Sequence, residues 1–102
     1  MPRFLKTIEL SKLAPESMAG VQLEGRRLLL SNLEGKVYAV DGTCTHEEAD
    51  LSQGFMIEDR VTCQLHLSQF DLRTGEVYNP PAVEPLKVYN VKIEEGYIFV
   101  EI

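Results

Sequence analysis

Apolar side chains in this chain recur at every second position rather than at helical spacing. Val21-Gln22-Leu23-Glu24 and Val91-Lys92-Ile93-Glu94 alternate strictly, and the stretch from Phe4 to Leu10 follows the same period. A period of two sends successive side chains to opposite faces of an extended backbone. Turn signals punctuate the pattern at Glu24-Gly25, Glu34-Gly35, Asp41-Gly42, Gln53-Gly54, Thr74-Gly75 and Glu95-Gly96, each read as supplying a glycine for positive φ. Short strands with such turns imply an all-β sandwich or small barrel. The pattern predicts strands at about 3–9, 19–24, 27–33, 36–41, 60–63, 69–72, 87–94 and 97–101. Residues 11–18, with Pro15 inside, read as a connection with room for one helical turn. Residues 43–54 lack a strand pattern yet carry a Cys and a His, which marks a loop with a task.

A length of 102 residues predicts a single domain, 1–102. With 44% hydrophobic and 25% charged residues the composition is that of a globular chain, not a disordered one. It has no Trp and only four Phe and four Tyr, so a metal or another staple would help so small a core. Tyr38, Tyr78, Tyr89 and Tyr97 are assigned to core or sheet faces. The net charge of −6 argues against nucleic acid as a partner, since such binders carry a basic excess on one face. No apolar run, Leu28-Leu29-Leu30 included, comes near the length of a membrane span, and the start MPRFLKTIEL lacks the apolar core of a signal peptide. The expectation is a soluble, cytoplasmic protein that binds no membrane.

The acids are unevenly spread. Asp41, Glu47, Glu48, Asp50, Glu58 and Asp59 fall in one stretch without a Lys or Arg, while the rest of the chain holds ten of each sign. This is either a solvated loop or an acidic docking patch.

Both cysteines and both histidines lie within 23 positions, as Cys44-Thr45-His46, sixteen residues, then Cys63-Gln64-Leu65-His66. Two short ligand pairs on two loops can converge on one centre, with soft thiolate and imidazole donors. A Cys44–Cys63 disulfide would leave both histidines unexplained and suits an oxidising compartment. Structural zinc takes a Cys2His2 set, but its motifs usually space the first pair more widely than Cys44 and His46. A Cys-His nucleophile dyad would leave a duplicate pair idle.

The spacing Cys-x-His, sixteen residues, Cys-x-x-His resembles the Rieske 2Fe-2S signature, in which both cysteines bind one iron and both histidines the other. The likeness extends to Gly35-Lys36-Val37-Tyr38-Ala39-Val40, to Gln69–Glu76 (QFDLRTGE) and to Asn79-Pro80-Pro81-Ala82, covering roughly residues 20–101. It implies an all-β fold of antiparallel sheets, with a cluster-binding subdomain at about 42–82 formed by two ligand loops and covered by the Pro80-Pro81 loop. The implied cofactor is one 2Fe-2S cluster held by Cys44, His46, Cys63 and His66. Four positions depart from the family pattern: Glu47 and Leu67 stand where glycine often follows each histidine, and Gln64-Leu65 where Pro-Trp is frequent. High-potential Rieske proteins carry a disulfide between the loops and a Ser-Tyr hydroxyl pair after the second histidine. This chain has no third Cys, and it has Ser68 but Phe70.

The resemblance implies a one-electron carrier, not an enzyme: a Rieske-type ferredoxin that takes electrons from a flavin-dependent NAD(P)H reductase and passes them to a terminal oxygenase, working as a monomer. With neutral imidazoles the oxidised core is neutral and the reduced core carries −1. Replacing two thiolates by histidine therefore raises the potential. The missing phenol and the nearby acids place it toward the low end of the Rieske range, at about −150 mV. An oxygenase would need two further histidines, and both are in use. The alternative is a cluster-free or zinc-binding Rieske-like interaction subunit. The docking surface is expected at the cluster tip, with Glu47, Glu48 and Asp50 as an acidic fringe around Leu65, Leu67 and Pro81.

Overall fold

The computed structural model describes residues 3–45, 49–65, 67–80, 82 and 84–102. Among these, eleven strands follow in order: β1 (Phe4–Glu9), β2 (Ser17–Leu23), β3 (Arg26–Leu33), β4 (Lys36–Asp41), β5 (Phe55–Ile57), β6 (Arg60–Thr62), β7 (Gln69–Asp71), β8 (Val77–Asn79), β9 (Val88–Tyr89), β10 (Val91–Glu94) and β11 (Tyr97–Glu101). They form three sheets, ordered β1-β11-β10, β2-β3-β4-β9 and β5-β6-β7-β8. Every pairing between them is antiparallel. The expected all-β architecture is the observed one.

Three hairpins account for much of this order. β2–β3, β3–β4 and β10–β11 each close through two residues, Glu24-Gly25, Glu34-Gly35 and Glu95-Gly96. Both residues of each turn have positive φ, which matches the right-handed twist of the strands they join. The connection after β1 contains a single 3-10 turn, Leu10–Lys12, and Leu13 behind it is buried. The Asn32 side-chain amide, itself buried, donates to the Leu13 carbonyl at 3.0 Å and holds the connection against β3.

Strand β3 explains the run Leu28-Leu29-Leu30. Leu28 and Leu30 face a core shared with Val37, Ala39, Tyr89, Ile98 and Val100. Leu29 and Leu33 face the opposite way, into a second core that includes Val40, Leu51, Val61, Phe70, Leu72 and both cysteines. A strand buried on both faces needs apolar side chains at consecutive positions rather than alternate ones.

The single strand expected over 87–94 is two. Val88 and Tyr89 pair with Val40 and Ala39 of β4, whereas Val91–Glu94 pairs with β11. The chain changes sheets at Asn90, whose carbonyl accepts from the Glu101 amide at 2.9 Å and whose side-chain amide donates to the Glu101 carboxylate at 2.8 Å. Strands that pass from one layer to another make such corners. Two more strands, β5 and β8, carried no periodic signal. Phe55-Met56-Ile57 is apolar throughout, and the register of β8 shifts between Gln69 and Phe70 of its partner.

The sheet β5–β8 is an excursion between two neighbouring strands, β4 and β9. Its root is fastened where the Asp41 amide donates to the Lys87 carbonyl at 2.9 Å and the Leu86 amide to the Gly75 carbonyl at 2.7 Å. Gly75 has φ +78, and a Cβ there would lie 2.1 Å from the Leu86 carbonyl oxygen. Gly25 has φ +80 with nothing within 4 Å. Gly75→Ala should therefore cost about 3 kcal/mol or more, from steric clash added to backbone strain, and Gly25→Ala only about 1 kcal/mol. Denaturant unfolding of the two variants measures the difference.

Candidate metal centre

Cys44 and Cys63 lie on separate loops, the first after β4 and the second after β6, and both are buried in the second core. The two loops are closed by the same device. The Cys44 amide donates to the Ala49 carbonyl at 2.9 Å and the Cys63 amide to the Ser68 carbonyl at 2.8 Å, in each case five residues on. An isolated bridge between Thr43 and Asp50 extends the first closure. His46 and His66 fall inside the two loops in sequence. Both lie outside the described residues, as do Glu47, Glu48 and Pro81.

Two of the six turn glycines serve space rather than positive φ, contrary to expectation, and both flank the first ligand loop. A Cβ on Gly42 would sit 2.9 Å from both Arg27 Cγ and the Leu28 carbonyl carbon. On Gly54, whose φ is −81, it would lie 2.0 Å from the Thr62 carbonyl oxygen, next to Cys63. Glycine at these positions lets the loop backbone press against β3 on one side and β6 on the other. Leu67 is the reverse case. It stands at φ 61 where the family often has glycine, and its side chain is 60% exposed.

Ser68 is fully buried, and its hydroxyl accepts the Ala82 amide at 3.1 Å. Phe70, also fully buried, pairs with Val61 and Val77 across the sheet and faces the core that holds both cysteines. The four tyrosines stand as assigned. Tyr38 packs on the second core, Tyr97 lies under Lys6, and Tyr78 lies on the face of β8 beneath the Arg60 guanidinium, 3.9 Å from its ring centre. Tyr89 is buried and donates to Asp41 at 2.6 Å; burial first, and the Asp41 carboxylate second, push its phenol up from the ordinary value.

Asp50 is not part of a free acidic fringe. Its carboxylate accepts from the Ser52 amide at 2.9 Å and the Ser52 hydroxyl at 2.6 Å, capping the 3-10 turn Leu51–Gln53, and it faces Arg27 at 3.9 Å. The other described acids of that stretch are engaged as well. Asp41 holds Tyr89, Glu58 meets Arg60 at 3.3 Å, and Asp59 meets Arg60 and Arg73. Charges segregated along the chain are thus interleaved in space.

Two buried thiols brought into one apolar core fit a soft metal centre. A family model described as the Rieske [2Fe-2S] domain matches residues 4–90. The chain belongs to the Rieske [2Fe-2S] family. The ferredoxin component of the naphthalene 1,2-dioxygenase system of Pseudomonas putida is 33% identical over 98% of this chain and 96% of its own length. The biphenyl dioxygenase ferredoxin subunit of Pseudomonas sp. (strain KKS102) is 35% identical over 96% and 91%. Among solved structures, a chain in the complex of reduced oxygenase and oxidized ferredoxin of carbazole 1,9a-dioxygenase superposes with a TM-score of 0.90, at 32% identity over 95% of this chain and 91% of that one. This protein is a Rieske-type ferredoxin with a 2Fe-2S cluster, an electron-transfer component rather than a catalyst.

The contacts of Asp50 give a pH test. Chiefly the Ser52 hydroxyl, then the Ser52 amide and Arg27, hold its carboxyl below the usual 3.8 against the opposing effect of burial. A carboxylate with a depressed pKa stabilises the fold fully above its unfolded value and loses that contribution as pH falls through the folded one. Asp50→Asn should be less stable than wild type at neutral pH, and the gap should close below about pH 4. Urea unfolding from about pH 6 down to about pH 3 follows it.

Proposed function

We propose that Cys44 and Cys63 bind one iron of the cluster and His46 and His66 the other, within a cluster-binding subdomain of about residues 42–82. The observation that carries this reading is the placement of both cysteines in one buried core, each on a loop closed by its own amide. When bound, the cluster takes up and returns a single electron. The polypeptide supplies thiolate and imidazole donors, closes the loops around them, and sets the polarity of the surroundings. Phe70 offers no hydroxyl to a sulfur, and the core around the cysteines is apolar, so the added charge finds little stabilisation.

The electron donor is a flavin-dependent NAD(P)H reductase and the acceptor a terminal oxygenase; the ferredoxin of the carbazole system, solved with its oxygenase, supports the second assignment. The protein works as a cytoplasmic monomer. No helix among the described residues is long and apolar enough to cross a membrane. Partners meet the tip, where Leu65 and Leu67 stand 44% and 60% exposed at the end of the β6–β7 hairpin. With Asp50 committed to its loop, Glu47 and Glu48 remain as the acids that steer a basic partner face, mainly by raising the encounter rate.

Low-temperature EPR of the dithionite-reduced protein tests the cluster assignment. A Rieske-type signal is expected, with a potential near the low end of the family range, about −150 mV by film voltammetry, and His46→Ala should abolish both the signal and the visible spectrum. A colourless, EPR-silent protein with stoichiometric zinc would sink the reading. For the docking surface, electron transfer to a cognate oxygenase should slow as salt shortens the Debye length from its ~10 Å at 0.1 M. Replacing Glu47 and Glu48 together by Gln should flatten that dependence and leave the cluster in place. An unchanged salt dependence would move the interface elsewhere.

A further inference from the structure

Arg27 of β3 meets the first ligand loop at both of its ends. Where the loop begins, the Gly42 amide donates to the Arg27 carbonyl at 2.8 Å, and Arg27 Cγ fills the space that a Cβ on Gly42 would need. Where the loop ends, the Leu51 amide returns to the Gly42 carbonyl at 2.8 Å. There one oxygen of the Asp50 carboxylate faces Arg27 Nε at 3.9 Å, while the other accepts from the Ser52 amide and hydroxyl. The cap needs an oxygen acceptor, which an asparagine would also supply; it needs no cation opposite. Asp50 also bridges Thr43, the residue before Cys44. Bridged residues lie about 5 Å apart and consecutive ones about 3.8 Å, so the Asp50 and Cys44 Cα atoms are within about 9 Å. Glu58 and Asp59, by contrast, lie at the far end of the β5–β6 hairpin from Cys63.

We propose that Arg27 helps set the reduction potential of this ferredoxin by cancelling, at the first ligand loop, the charge of Asp50. Reduction adds one negative charge to the core of the cluster. A carboxylate at this distance opposes that charge and a guanidinium favours it, so a close pair leaves the potential nearly unmoved. The apolar core that holds the cysteines gives either charge alone more weight than open water would. Neither residue supplies a metal donor; both act on the centre through the field they set beside it. The inference deepens the electron-carrier reading and rests on Cys44 as a ligand.

Protein-film voltammetry of the loaded protein, at constant pH and salt and with the electrode supplying the electron, tests this. Asp50→Asn keeps an acceptor for Ser52, and Arg27→Gln keeps both the backbone bond to Gly42 and a Cγ beside it. A unit charge about 10 Å away changes an equilibrium constant by about twofold at the dielectric of water, and by more in less polar surroundings. The equilibrium constant for reduction should therefore fall at least about twofold in Arg27→Gln and rise by a similar factor in Asp50→Asn. The double variant should return to the wild-type value, and Arg27→Lys should keep it. Glu94→Gln breaks the Lys92–Glu94 pair, 3.4 Å apart on β10, whose sheet adds no residue to the cysteine core, and should shift nothing. Shifts of one sign in both single variants, no shift in either, or an equal shift in Glu94→Gln would each overturn the proposal, since a mere disturbance of the loop gives no reason for opposite signs that cancel. Should Arg27→Gln fail to load a cluster, Asp50→Asn decides alone: a rise upholds the proposal, and a fall or no change overturns it. A wild-type protein without the Rieske-type spectrum would overturn the ligand assignment and this proposal with it, whereas a normal spectrum with unshifted variants overturns this proposal only.

Discussion

Burial of one strand on both faces is the constraint on which the rest of the structure depends. Leu28 and Leu30 of β3 are buried in the core between two sheets, and Leu29 is buried in the core beneath the cysteine loops. Each such side chain contributes about 1.5 to 3 kcal/mol when removed from water. The two cores are therefore built on opposite sides of a single backbone, and the cysteines pack against a strand that cannot shift without opening the other core. β4 repeats the arrangement, with Val37 and Ala39 on one side and Tyr38 and Val40 on the other. A site placed on loops acquires in this way the rigidity of the central sheet.

That placement demands close approach, and the backbone provides it in two forms. Gly42 and Gly54 lack side chains where the first ligand loop meets β3 and β6. Gly75 lacks one where the root of the β5–β8 sheet meets the segment leading into β9. Leu67 departs from the pattern, holding a positive φ with a branched side chain and projecting it into solvent beside the second loop. A left-handed leucine carries a cost that glycine would not. Its exposed side chain extends the apolar rim that Leu65 begins.

Electrostatics follow the fold rather than the sequence. An acidic stretch uninterrupted by Lys or Arg looks like a patch on paper, yet Arg27, Arg60 and Arg73 reach its carboxylates from neighbouring strands and turns. Such exposed pairs add little stability individually. They do set a guanidinium beside Asp50, Glu58 and Asp59, while Asp41 accepts from the Tyr89 hydroxyl, so the described acids of the stretch do not form a patch of one sign.

The sequence by itself determined the β architecture, three of the hairpins and the family. Alternation, Glu-Gly turns and Cys-His spacing are local signals, carried by residues a few positions apart and governed by the sterics of the backbone and the donor chemistry of the side chains. Local signals failed where the deciding contact came from elsewhere in the chain. Phe55-Met56-Ile57 has no period, and it becomes a strand only because β6 offers its edge. Residues 88–94 read as one strand and divide at Asn90 because two different sheets claim the halves. Gly42 and Gly54 look like turn residues until β3 and Thr62 are seen pressed against them. Thr45 and Ser68 acquire partners 39 and 14 residues away only when the segment bearing Ala82 and Glu84 is packed beside both loops. Only the tertiary structure decided these points, because each depends on which distant surface the chain is packed against, and a short segment contains no record of that surface.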